Sequence, residues 1–158
     1  MNALDEPTTR LVERQGPQTR LRVVRGVGTP DGSRRPGWLH GEWAGRVGHP
    51  SSYGLLGGTR AQASSIRVAE SGATFRDSLA GASDDVRWGL EQGYEPAIMA
   101  ALGAQLQPVL ITTAAHGSLG SSPHVFGCLA RLLSALLATD LPSEDNDLWR
   151  MVDRAWNP

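Results

Sequence analysis

The 158-residue chain contains no lysine: all fifteen of its basic residues are arginine. This removes every lysine-dependent chemistry, including the P-loop lysine, Schiff bases and pyridoxal attachment. Its one cysteine, Cys128, excludes an intramolecular disulfide and, set in an apolar helical pattern, reads as a buried structural thiol. Long apolar runs are missing too. The longest, residues 132–138, is broken by Ser134 and is far too short to span a bilayer. The first fifteen residues carry no signal-peptide core, so the expected location is cytoplasmic and off the membrane. None of the four histidines (40, 49, 116 and 124) pairs with another at i, i+3 or i, i+4, and no cofactor or metal is expected.

What is present is globular in character. Hydrophobic residues make up 40% and charged residues 20%, enough for one core, while 19 Gly and 10 Pro promise long turns. The net charge of −1 hides an asymmetry: residues 1–60 hold nine Arg against five acids, and residues 61–158 hold six Arg against eleven. The two halves therefore differ in the partners they would attract.

Residues 1–18 show neither helical nor strand periodicity and read as a mobile leader, leaving 19–158 as a single domain. Residues 19–24, T-R-L-R-V-V, alternate as a half-buried strand does. A Gly- and Trp-rich loop is expected over 26–63, of which 38–63, with a short possible strand at 38–43, reads as either a β-hairpin or an ordered loop. Residues 64–70 and 73–79 suggest two strands paired as a hairpin around Ser71-Gly72. Asp84-Asp85 could cap a kinked helix, or two short ones, over 84–102, interrupted by Pro96. Residues 108–114 form an apolar β-rich run suited to a central strand. Ser122 then offers an N-cap and Pro123 a first helical residue, followed by the stripe Val125, Leu129, Leu132, Leu133 and Leu136. A last amphipathic helix is expected over 143–156. The architecture is α+β, with two layers: a mostly antiparallel four-stranded sheet with helices on one face.

The run Gly120-Ser121-Ser122-Pro123-His124-Val125-Phe126, followed by Leu129-Ala130, resembles a helix start of domain IV of elongation factor G and of the tetracycline ribosomal-protection proteins. Pro108-Val109, and Val86-x-x-Gly89-Leu90 or Tyr94-x-Pro96-Ala97-Ile98, are similar to core positions of that family, and the likeness extends over residues 64–138. The resemblance implies a left-handed βαβ crossover and loop tips, here 45–59 and 114–120, that reach toward ribosomal RNA. The chain departs from the family in having no GTPase motif and in carrying Gly120 where elongation factors usually have an acid.

The residues themselves name no reaction, and whether the chain is an enzyme stays open. G-x-S-x-G is absent around Ser118, Ser121 and Ser122, and Gly26-x-Gly28 is followed by Pro30-Asp31-Gly32 rather than a helix. Arg34, Arg35, Arg46 and Arg60, interleaved with Trp38, Trp43 and Tyr53, form the basic and aromatic zone that suits phosphate contact and base stacking. With His116 and Ser118 at the second tip, they make up the expected surface for the ribosome or structured RNA. The competing expectation is a small enzyme or small-molecule-binding protein that reuses the fold, with a pocket joining His40, His49, Tyr53 and His116 near the aromatic loop 38–53. Exposed tryptophans would instead mark a protein-interaction surface.

Overall fold

The computed structural model describes residues 7–14, 19–26, 37–45 and 52–158. The chain is a mixed α+β fold, and its described residues form a seven-stranded, mostly antiparallel sheet with three α-helices. The strands are β1 (Thr8–Arg14), β2 (Thr19–Gly26), β3 (Trp38–Gly45), β4 (Ser52–Arg60), β5 (Ser65–Ile66), β6 (Val86–Trp88) and β7 (Val109–Gly117). The helices are α1 (Glu95–Gly103), α2 (Pro123–Ala138) and α3 (Asp145–Trp156). No helix among the described residues is long and apolar enough to cross a membrane.

Strands β1 to β4 form a meander in sequence order, and β7 adds antiparallel to β4. The outer edge of β7 is then shared: β5 pairs with its first half in parallel, and β6 with its last residues antiparallel. The connection from β5 to its parallel partner β7 passes through β6 and α1. Sheet alternation sends Leu21, Val23, Leu39, Trp43 and Leu56 to one face, where the helices cover them. Gly54 lies directly under α2, where a Cβ would come within 2.8 Å of Leu129.

Helix α2 starts where expected. The Ser122 hydroxyl accepts from the Val125 N–H at 3.2 Å, and Pro123 occupies the first turn. Its leucine stripe is buried, and so are Gly127 and Ser134 on the opposite face, because α1 and α3 also pack against this helix. Ser134 can be buried because its hydroxyl donates to the Gln107 carbonyl at 2.7 Å. Helix α3 is anchored by Trp156, which stacks on Trp43 at 4.2 Å, and by Trp149, which meets the same ring edge-on.

Several expectations are corrected. The 1–18 segment is not a leader throughout, since residues 8–14 are β1. Side chains from β1 reach α3: Arg14 chelates Asp153 at 2.8 and 3.0 Å and lies over Trp149, and Arg10 bonds Asp145 and the Pro142 carbonyl. The 26–63 segment is not one loop, because β3 and β4 lie within it and pair antiparallel, the hairpin of the two readings for 38–63, which raises the sheet above four strands. The hairpin of 64–70 with 73–79 does not form. Ile66 pairs with Ile111 of β7 instead, and Thr74 makes a single bridge to Arg87. Val86 belongs to a strand, not a helix, and Pro96 opens α1 rather than kinking it, because a proline without an N–H costs nothing in a first turn.

Candidate functional site

The sheet face turned away from the helices is where polar and aromatic side chains gather. Alternation places Arg22 and Val24 of β2, His40 and Glu42 of β3, and Tyr53 and Leu55 of β4 on this face, with the chain following Ile66 laid across part of it. Glu42 is only 2% exposed, which is costly for a carboxylate unless donors surround it. Four do. Arg22 Nε donates to Oε1 at 2.9 Å and Arg22 Nη2 donates to the same oxygen, while Tyr53 Oη and the Leu79 N–H donate to Oε2 at 2.6 and 2.8 Å. Arg22 Nη2 also reaches the Asp77 carbonyl at 2.9 Å, and Arg20 Nη2 the Leu79 carbonyl at 2.6 Å. The buried charge thus fastens residues 77–79 to the sheet. Burial, together with the negative charge of Glu42, raises the Tyr53 pKa and keeps its hydroxyl a donor.

Beside this latch lies a cavity of about 300 Å³. Its apolar walls are Val24, Leu55, Phe75 and Trp88, the last two stacked with centroids 4.3 Å apart. Its polar lining comes from Thr9, Arg22, His40, Glu42 and Asp77. The His40 ring packs 4.6 Å from Trp38 and lies over β4 at Gly57, where a Cβ would overlap the imidazole. Burial lowers the His40 pKa to about 4, so the ring is neutral at physiological pH. It then offers one N–H donor and one acceptor.

The third feature is the Gly117–Ser122 connection. Asp84 Oδ1 accepts from the Leu119 N–H at 2.9 Å and the Ser118 hydroxyl at 3.2 Å, and Oδ2 accepts from the Gly120 N–H at 2.8 Å. The turn is also tied to β4, since the Tyr53 N–H donates to the Gly120 carbonyl at 2.9 Å and Ser121 Oγ donates to the Tyr53 carbonyl at 2.7 Å. Leu119 is left 67% exposed at its tip.

No family model, curated protein or solved structure matches this chain. The chemistry must be read from the residues alone. Of those expected to bind RNA, Arg34, Arg35 and Arg46 lie outside the described residues, as does His49 of the expected pocket. Arg60 Nε donates to the Leu137 carbonyl near the end of α2, which favours a cation there. Trp43 and Tyr53 are buried, so neither is a surface platform for stacking, and among the described residues the large apolar side chains left exposed are Leu11, Met99, Leu106 and Leu119 rather than tryptophans.

The expected joining of His116 with His40 and Tyr53 does not occur. A bulge sets Gly57 opposite Thr113 but Gly58 opposite Ile111, leaving Thr112 as the extra residue on β7. Val109, Ile111 and Ala114 consequently all face the helices, and His116 follows Ala114 to that side. There His116 Nδ1 meets the Gly89 carbonyl at 2.9 Å, Nε2 lies 3.4 Å from Glu91, and the ring meets Tyr94 edge-on. His40 lines the cavity, and Tyr53 touches it only through Glu42.

Sequence reasoning did not single out Arg22, Glu42, Phe75 or Trp88, and it gave Asp84 a helix cap rather than the Gly117–Ser122 turn. An acid inside a strand pattern, Gly41-Glu42-Trp43, was a signal for a buried charge, but its partners come from three separate segments. Among the described residues, no three His, Cys, Asp or Glu side chains are grouped to hold a metal ion.

Proposed function

We propose that the chain is a non-catalytic, standalone relative of elongation factor G domain IV that binds RNA or the ribosome through its loop tips. The observation that carries this reading is the convergence, at one end of the sheet, of the strand ends Gly45 and Ser52 with the Gly117–Ser122 turn. Gly45 and Ser52, which bracket residues 46–51, pair with each other, and the Gly117–Ser122 turn is hydrogen-bonded to Tyr53 alongside them. Arg14 and Thr19, which bracket residues 15–18, pair at the same end. Strand ends that bracket Arg46, set beside the turn whose Ser118 is held by Asp84, suit a phosphate surface drawing on both segments. In this reading the parallel β5–α1–β7 connection is the family's left-handed crossover, and the Ser122-capped α2 is the family's helix.

Arg34 and Arg35 would make a separate contact. The strand ends that bracket them, Gly26 and Trp38, pair with each other at the opposite end of the sheet, near Arg60. The test is co-sedimentation with purified ribosomal subunits across roughly 50 to 200 mM salt. Association should weaken steeply with salt, and Arg46→Ala should lower the slope of log affinity against log salt by about 1. Absent or salt-insensitive association rejects the proposal.

The cavity on the helix-free face favours a second reading, a protein that binds a small molecule or acts on one. Here His40 remains a polar contact from the expected pocket, and His116 takes no part.

A further inference from the structure

We propose that the cavity on the helix-free face takes one planar heteroaromatic ring of the nucleobase type; this rests on the second reading above, not on ribosome binding. Three features of the site select that chemistry. The first is charge. Glu42 already accepts from four donors, two on each oxygen, and its charge is matched by Arg22. The floor is therefore a neutral ion pair, the charge left over on the lining is the Asp77 carboxylate, and a strongly anionic ligand would meet that carboxylate and a guanidinium already engaged by Glu42 and the Asp77 carbonyl.

The second is shape. Phe75 and Trp88, stacked ring on ring, give the cavity an aromatic lining, and Val24 and Leu55 supply further apolar lining. A volume of about 300 Å³ sits at the small end of ligand pockets, suited to one ring with its sugar rather than to a dinucleotide. Stacking on an aromatic wall is how proteins hold an unpaired base whatever its sequence.

The third is the polar lining. Neutral His40 presents a donor and an acceptor, and the Thr9 hydroxyl presents both as well. A nucleobase edge, with donor and acceptor atoms side by side, matches such groups, whereas a plain hydrocarbon ring would leave them unpaired. Gly57 is what lets the imidazole lie flat here. The same ring could arrive as a free nucleoside or as an unstacked base of single-stranded RNA.

The test is an NMR titration of the full chain, following the Trp88 indole N–H and the His40 ring. The probes are adenosine, guanosine, cytidine and uridine, a single-stranded seven-nucleotide RNA, and indole as an apolar aromatic control. At least one nucleoside or the RNA should shift both signals, and Val24→Phe, which fills the cavity from β2, should weaken that binding at least tenfold. Thr9→Trp, at an exposed position on the edge strand, provides a second obstruction should Val24→Phe fail to fold. Equal affinity for nucleoside and RNA supports the free ligand, and at least tenfold tighter RNA binding supports the unstacked base. Shifts with indole alone overturn the nucleobase assignment and leave the cavity reading standing. No shift with any probe overturns both, and nucleoside binding that survives both obstructing variants places the ligand elsewhere and overturns the proposal.

Discussion

Replacing Glu42 with alanine should be among the most damaging single substitutions in this chain. It leaves the Arg22 guanidinium facing an empty site, the Tyr53 hydroxyl without an acceptor, and the Leu79 N–H unpaired beneath the segment it fastens. Removing one partner of a buried ion pair costs about 3–5 kcal/mol. Arg22 keeps 26% of its side chain exposed and can turn partly to water, so the lower part of that range applies, about 3 kcal/mol. Against a total of roughly 5–15 kcal/mol, that is a large share. With a urea m-value of about 2 kcal/mol/M, the unfolding midpoint should fall by about 1.5 M. Hydrogen exchange at the Leu79 amide should accelerate in parallel, because Glu42 is its acceptor. Glu42→Gln should fall between the two, since the amide keeps one acceptor oxygen but turns a donor toward either Arg22 or Tyr53. A loss below about 1 kcal/mol in Glu42→Ala, with Leu79 exchange unchanged, would show that the latch does not hold this face together.

The remaining predictions concern pH, the turn and the helix cap. His40 has a folded pKa of about 4, below its unfolded value near 6.5, so the unfolded chain binds the proton more readily. Stability should be unaffected by this group above pH 6.5 and should decline as pH falls toward 4, by about 3 kcal/mol in all, and His40→Gln should flatten that part of the urea-midpoint profile. Asp84→Ala removes the acceptor of the Leu119 and Gly120 N–H groups, and exchange at both amides should rise while the fold, followed by far-UV circular dichroism, persists. Ser122→Ala should cost about 1 kcal/mol in urea unfolding through loss of the cap on α2, and Ser122→Gly less.

How far the architecture could be read beforehand depended on the range of the interactions involved. Strand β2 and helix α2 were legible because period-two alternation in T-R-L-R-V-V and the Ser-Pro cap with its leucine stripe are written within one element. Strand β1 was not. Its residues become a strand through pairing with β2 and through Arg10 and Arg14 reaching α3, more than 130 positions away in sequence. Glycine misled in the same way: Gly41, Gly54, Gly57 and Gly58 suggested a loop but lie in strands where α2, the His40 ring or the β7 backbone comes close. Asp84, well placed to cap a helix of its own, serves instead as the acceptor for a turn some 35 residues later.

From its residues alone, this chain determined an α+β composition, the start of helix α2 and the absence of lysine chemistry and of an intramolecular disulfide. Each is a property of neighbours along the backbone or of a simple count. The site was decided only in three dimensions. One extra residue at Thr112 turned His116 toward the helices, while strand register brought Arg22 beside Glu42 and set Tyr53 on the same face of the sheet. Because a strand's side chains alternate every residue, a single bulge exchanges the two faces beyond it. No local pattern records which face a distant histidine will reach.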